Sequence, residues 1–222
     1  MNDQTSKLAW NEDGVPISQR FDDPYYSLQD GLAETRHVFL RGNDLPARFV
    51  DGFHVAELGF GTGLNLLATW QAWRESGVAG RLHFTSFEAF PLDIAEMRQA
   101  LDAFPDMADL AAELLASLTP NGAELSDLNF TLITGDARET LPAWSTKADA
   151  WFLDGFSPAK NPELWEASLM SQVGAHTNPK GTFATYTAAG FVRRALNDAG
   201  FDVERVTGFG RKRHMSIGTK RV

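Results

Sequence analysis

Cysteine is absent from these 222 residues. That excludes disulfides and cysteine-ligated zinc, and it agrees with a reducing compartment. The opening, Met1 to Lys7, has no apolar core of the signal-peptide kind. No later run approaches the ~20 apolar residues of a membrane span, so a cytoplasmic protein with no membrane attachment is expected. Internal repeats, low-complexity tracts and linkers are missing too. One domain is the economical reading for a chain long enough to bury ~70% of its unfolded surface. The five histidines, His37, His54, His83, His176 and His214, are scattered without metal-ligand spacing. No metal site is expected.

Positive charge is in short supply: 20 Lys and Arg face 29 Asp and Glu, for a formal net charge of −9. Such a balance ordinarily argues against a nucleic-acid partner. The deficit is local, however. Between Glu88 and Glu139 the only cations are Arg98 and Arg138, whereas beyond Gly200 the residues Arg205, Arg211, Lys212, Arg213, Lys220 and Arg221 meet only Asp202 and Glu204. Such a cluster is either a solvated terminal face or a binding surface, and the acidity of the whole chain does not exclude RNA.

What is present alternates short β-rich runs with helical patterns, which implies βαβ units and a mostly parallel, doubly wound α/β sheet. Strands are expected at Phe53 to Leu58, Leu82 to Glu88, Phe130 to Gly135, Ala148 to Leu153 and Gly181 to Thr187. Val203 to Gly208 and His214 to Thr219 follow one another without a helix. They should form an antiparallel hairpin at a sheet edge, giving about seven strands in all. Ile94, Met97, Leu101 and Phe104 recur at helical spacing, as do Leu110, Leu114, Leu115 and Leu118, and both stripes read as core faces. Asn161-Pro162 pairs an N-cap with a first-turn proline, so a helix should begin there and run towards Val173. A last stripe, Phe191, Val192, Ala195, Leu196 and Ala199, ends at Gly200, a left-handed stop. Residues 1–50 read as an N-terminal extension and 51–222 as the domain proper.

The first of these strands runs into Glu57-Leu58-Gly59-Phe60-Gly61-Thr62-Gly63, with Leu64 onward helical. Glycines let the backbone turn tightly and approach a ligand closely, and the helix N-terminus adds a positive dipole end. The dinucleotide fingerprint needs its third glycine at position 64, where Leu64 stands, which disfavours a nicotinamide dehydrogenase. The spacing instead resembles the first motif of class I S-adenosylmethionine-dependent methyltransferases, and that resemblance implies a Rossmann-like fold and this cofactor. Glu88, at the end of the second strand, is then placed to accept both ribose hydroxyls. Glu57 suits the sulfonium and ammonium end, since a buried carboxylate needs a positive partner. Asp136, in Gly135-Asp136-Ala137-Arg138, falls where the adenine amino group would lie. Any one of these carboxylates alone also fits a helix cap or a loop charge.

A fourth strand end, Leu153-Asp154-Gly155-Phe156-Ser157-Pro158, sits where amino-methylating enzymes carry an acidic, aromatic and proline loop. A carboxylate that accepts the N–H bonds of an amine would hold its lone pair in line with the methyl group and assist loss of its proton. Asp154 is assigned that role and Phe156 would flank the target group; a turn-stabilising aspartate and a core phenylalanine are the alternatives. The expected cofactor set is Glu57, Gly59, Phe60, Gly61, Gly63, Glu88, Ala89, Asp136, Ala137 and Asp154.

Five segments, Phe21 to Ser27, Gly31 to Arg36, Glu57 to Asn65, Asp154 to Trp165 and Gly208 to Arg213, together resemble the methyltransferase domains of the bacterial tRNA 5-methylaminomethyl-2-thiouridine biosynthesis family. The resemblance spans essentially the whole chain. It implies methylation of the exocyclic amine of 5-aminomethyl-2-thiouridine at the tRNA wobble position. Many members of that family continue into a flavin-dependent oxidoreductase that exposes the amine; no such domain is expected within this chain, so a separate or fused one would be a partner. Tyr25, Tyr26 and Glu34 are candidates for a lid over the site, and Lys160, Arg211, Lys212 and Arg213 for contacts to tRNA. Other readings stay open, namely an aminopropyltransferase of the polyamine kind and a silent cofactor-binding subunit of an RNA-modifying complex.

Overall fold

Apolar runs bounded by glycine or an acid become strands because branched and aromatic side chains suit a pleated surface covered on both faces. The structure is a computed structural model and describes residues 8–12, 14–27 and 30–222. A small antiparallel sheet holds β1 (Leu8–Trp10), β2 (Pro16–Ser18) and β3 (Asp23–Pro24). The main sheet holds β4 (His54–Leu58), β5 (Leu82–Glu88), β6 (Gly122–Glu124), β7 (Leu128–Thr134), β8 (Ala148–Leu153), β9 (Thr177–Thr185), β10 (Phe201–Thr207) and β11 (His214–Lys220). Its order is β10-β11-β9-β8-β4-β5-β7-β6. The five strands from β9 to β7 run parallel. β6 and the β10–β11 hairpin are antiparallel additions at the two edges. The doubly wound sheet and the terminal hairpin expected from the sequence are both present. An eighth strand is added because the turn at Thr119–Gly122 folds three residues back onto β7, a segment too short to carry periodicity.

Among the described residues seven α-helices complete the layers: α1 (Gly31–Thr35), α2 (Leu64–Ser76), α3 (Ile94–Leu101), α4 (Ala108–Ser117), α5 (Ala137–Ala143), α6 (Ala167–Ala175) and α7 (Gly190–Asp198). Side chains alternate across each strand. Val55, Phe84, Phe130 and Phe152 therefore enter the core beneath α2, α3 and α4, whereas Leu58, Phe87, Trp151 and Leu153 enter the one beneath α5, α6 and α7. Trp151 is fully buried, and its truncation to Ala would cost ~3–5 kcal/mol. Residues 36–49 close the α2 side. Val38, Phe39, Leu40, Leu45 and Phe49 are buried in the same cluster, with Phe39 stacked on Phe152 at 5.2 Å.

Two sequence expectations change. The helix expected from Asn161-Pro162 is divided: a 3-10 turn at Pro162–Trp165 ends at Glu166, whose extended backbone (φ −61°, ψ 146°) separates it from α6. Trp165 is the cause, since it is buried and its Nε1 donates to Phe156 O at 2.8 Å, pinning the turn to the Asp154 loop. Ile94 and Phe191, read as members of core stripes, are 43% and 47% exposed. Each lies in the first turn of its helix, where no preceding turn covers it. Among the described residues no helix is long and apolar enough to cross a membrane.

The strand order reverses between β4 and β8, which is where an open α/β sheet presents its ligand crevice. There the two strand ends touch, Asp154 N donating to Leu58 O at 3.1 Å.

Candidate active site

The turn after β4 keeps its glycines for steric reasons. Gly59, Gly61 and Gly63 have φ of 91°, 54° and 84°, a region that disfavours side chains. A Cβ on Gly59 would stand 2.8 Å from Asp154 O, so only glycine lets β4 and β8 end this close together. Gly63 then opens α2. The turn, the ends of β5, β7 and β8, and the segment from Arg20 to Ser27 enclose one cavity of about 900 Å³. Gly59, Phe60, Gly61, Glu88, Ala89, Asp136, Ala137, Asp154 and Phe156 line it together, as do Tyr25, Tyr26, Glu34 and Lys212. Gly63, Lys160, Arg211 and Arg213 are not on its wall, and neither is Glu57.

Glu88 Oε2 accepts from Phe60 N at 3.0 Å and Gly61 N at 3.2 Å, and Oε1 accepts from Phe90 N at 2.8 Å. One carboxylate thus ties the glycine turn to the end of β5. Burial raises its pKa, against the lowering effect of these backbone donors. Asp136 caps α5 by accepting from Arg138 N at 2.9 Å and forms an ion pair with Arg138 at 2.6 Å. That pairing holds its carboxyl below the usual range.

Glu57 is fully buried at the end of β4. Its donors within the chain are neutral: Asn65 Nδ2 at 2.8 Å from Oε1 and Ser86 Oγ at 2.7 Å from Oε2. Burial drives its pKa well above the ordinary value, against the lowering effect of these two hydrogen bonds, and a cation brought near it would favour the ionised form. Asn65 is a residue the sequence reading missed. The same Nδ2 donates to Asp154 Oδ2 at 2.7 Å, while its Oδ1 accepts from Thr35 Oγ1 at 2.8 Å. A polar residue one position into an apolar helical stripe was the available signal. Asp154, beside the cavity, has its pKa pushed up to about 7 by burial, and nearby Glu34 adds to the shift, while Asn65 and Lys212 oppose it.

Phe156 stands in an aromatic group. Phe21 stacks on it at 4.8 Å and Tyr25 meets it edge-on at 5.1 Å. Tyr25 also lies over the glycine turn, where a Cβ on Gly61 would come within 3.1 Å of its ring. Tyr26 is turned the other way, its hydroxyl donating to Ala100 O at 3.2 Å and its ring against Phe104 at 5.0 Å. Burial raises its pKa to about 12. The segment is clamped by Asp23, which accepts from Ser157 N at 2.9 Å, and by Lys160, which bonds the Asp22 carbonyl and pairs with the Asp22 carboxylate at 3.3 Å. Lys160, expected among the RNA contacts, is therefore engaged within the chain. Tyr186, a second missed residue, follows β9 and donates its hydroxyl to Gly155 O at 2.7 Å.

Comparison with known proteins bears on this geometry. A family model described as S-adenosyl-L-methionine-dependent methyltransferase matches residues 105–221. The tRNA 5-methylaminomethyl-2-thiouridine biosynthesis bifunctional protein MnmC of Stutzerimonas stutzeri is 45% identical over 97% of this chain and 34% of its own length. Its counterpart from Pseudomonas aeruginosa is 45% identical over 97% of this chain and 35% of its own. The chain thus spans about a third of the length of these curated relatives. Among solved structures, MNMC2 from Aquifex aeolicus superposes with a TM-score of 0.75 at 27% identity, covering 96% of this chain and 70% of that one. The doubly wound sheet with its antiparallel end is accordingly a class I methyltransferase-like fold.

Proposed function

The chain belongs to the S-adenosyl-L-methionine-dependent methyltransferase family, and from that premise we propose that it methylates the exocyclic amine of 5-aminomethyl-2-thiouridine at the tRNA wobble position, yielding the 5-methylaminomethyl base. The observation that carries the reading is Asp154, a carboxylate with a pKa near 7 that Asn65 holds at the edge of the cavity, two residues from the ring of Phe156. An aliphatic ammonium titrates near ~10 and must lose a proton before its lone pair can attack. Asp154 accepts that proton, or the N–H bond that orients the lone pair, while Phe156 and Tyr25 flank the base.

The cavity suits the cofactor. Left-handed glycines at 59 and 61 put backbone without side chains on its wall, and Glu88 and Asp136 stand as acceptors at the ends of β5 and β7. Glu88 takes the ribose, Asp136 and Ala137 the adenine end, and the turn from Gly59 to Thr62 the remainder. Glu57 acts from behind through Asn65. When bound there, S-adenosylmethionine would supply an electrophilic methyl group for the amine nitrogen that Asp154 orients. Tyr25, Tyr26 and Glu34 serve as a lid that keeps water away. The amine is supplied by a flavin-dependent oxidoreductase step, fused or separate, and the reaction belongs in the cytoplasm with its tRNA.

The test is incubation of the protein with S-adenosylmethionine and tRNA carrying 5-aminomethyl-2-thiouridine, followed by nucleoside mass spectrometry. One added methyl group is expected at that base. Its absence, with cofactor binding intact by isothermal titration, would reject the proposal.

A further inference from the structure

Lys212 sits in the turn between β10 and β11, yet its ammonium is turned inward. Nζ donates to Glu34 Oε1 at 2.9 Å and stands 4.2 Å from the centre of the Tyr186 ring. All three side chains line the cavity that Asp154 lines. Tyr186 is fixed by its hydroxyl bond to Gly155 O, so its ring is a rigid surface. An aromatic face attracts a cation through its quadrupole, and a carboxylate alongside gives that cation a charge-assisted partner. The charged groups facing this place are known. Asp154, Asp23 and Glu34 act on Tyr186, and Glu34 and Lys212 act on Asp154. Lys160 is taken up by Asp22 and Asp23, which leaves Lys212 as the cation paired with Glu34.

We propose that Glu34, the face of Tyr186 and Asp154 form the subsite for the primary ammonium of the substrate, and that Lys212 fills it as a tethered stand-in until substrate arrives. This rests on the reading of the chain as an amine methyltransferase. One primary ammonium replaces another, so Glu34 is never left as a shielded, unpaired carboxylate. The released Lys212 joins Arg211 and Arg213, exposed on the same turn, facing solvent and the RNA backbone.

Titration calorimetry with 5-aminomethyluridine, on enzyme saturated with S-adenosylhomocysteine, tests the subsite. Lys212→Met keeps the stem and removes the charge, and it should bind the nucleoside at least about tenfold more tightly than the unaltered protein. Adding Tyr186→Leu or, separately, Glu34→Gln to Lys212→Met should erase that gain. Neutral 5-hydroxymethyluridine should show no gain in any variant. Equal or weaker amine binding by Lys212→Met overturns the subsite, as does an equal gain for the neutral nucleoside. Should Tyr186→Leu fail to fold, Glu34→Gln decides alone. Unaltered protein that methylates tRNA while Lys212→Met shows no gain refutes the subsite only; unaltered protein that methylates no amine refutes the reading beneath it.

Discussion

Asn65 Nδ2 donates to Asp154 Oδ2 at 2.7 Å, and the same nitrogen bonds Glu57 Oε1 at 2.8 Å, one hydrogen for each carboxyl. Thr35 fixes the orientation by donating to Oδ1 at 2.8 Å. Asn65 thereby links buried Glu57 to half-buried Asp154 and stabilises the ionised form of Asp154, whose pKa desolvation has already raised to about 7. Removing the donor in Asn65→Leu should raise that pKa further. If turnover needs ionised Asp154, the acid limb of the pH–rate profile moves upward by about one to two pH units, the equivalent of one hydrogen bond to a charged group. A limb left in place, in a folded variant, would mean that Asn65 does not govern the group that titrates in turnover.

Asp154→Asn separates chemistry from stability. Turnover should vanish, while cofactor affinity stays within several-fold, because the carboxylate is assigned to the amine. The stability effect has a definite sign. An aspartate whose folded pKa of about 7 exceeds its unfolded value of about 3.8 binds more protons folded than unfolded between those pH values. The native state is therefore destabilised as pH rises through that window and gains nothing back above it. Replacing the group with a neutral amide should stabilise the protein at pH 8 by on the order of 2–4 kcal/mol, with little gain at pH 4. Thermal denaturation at the two pH values measures the difference. Equal gains at both would show that the carboxyl is not held neutral by its surroundings.

Glu88→Ala removes the acceptor proposed for the ribose and, at the same time, leaves Phe60 N and Gly61 N without their partner. Cofactor affinity should fall by one to two decades, about 1.4–3 kcal/mol, in isothermal titration. Unchanged affinity would place the ribose elsewhere in the cavity.

The parts of this site that were legible in the sequence are those set by local chemistry. Gly59, Gly61 and Gly63 mark a turn whose backbone few other residues could adopt, and Glu88, Asp136 and Asp154 each close an apolar run. What escaped depends on contacts across the chain. Lys160 and Lys212 read as free cations because their partners Asp22 and Glu34 lie 138 and 178 residues away. Tyr186 went unassigned, since nothing nearby in sequence reveals that Gly155 O receives its hydroxyl. Strands β1 to β3 span two or three residues each, too few for alternation to register.

The inward turn of Lys212 changes what the basic cluster near the C-terminus can do for RNA. Arg211 and Arg213 are exposed, and neither takes part in the ion pairs found among the described residues, whereas Lys212 is committed to Glu34. Exposed charges more than ~8 Å apart are largely screened at physiological ionic strength, so a phosphate near this turn responds to Arg211 and Arg213 rather than to the net charge of −9. Replacing both by Ala should weaken tRNA binding and leave cofactor binding intact. Every arginine–phosphate pairing that disappears should flatten the slope of log affinity against log salt by ~0.7 to 0.9, so the double replacement should remove up to about twice that. Filter binding across a salt series reads the slope directly. An unchanged slope would move the RNA surface away from this turn.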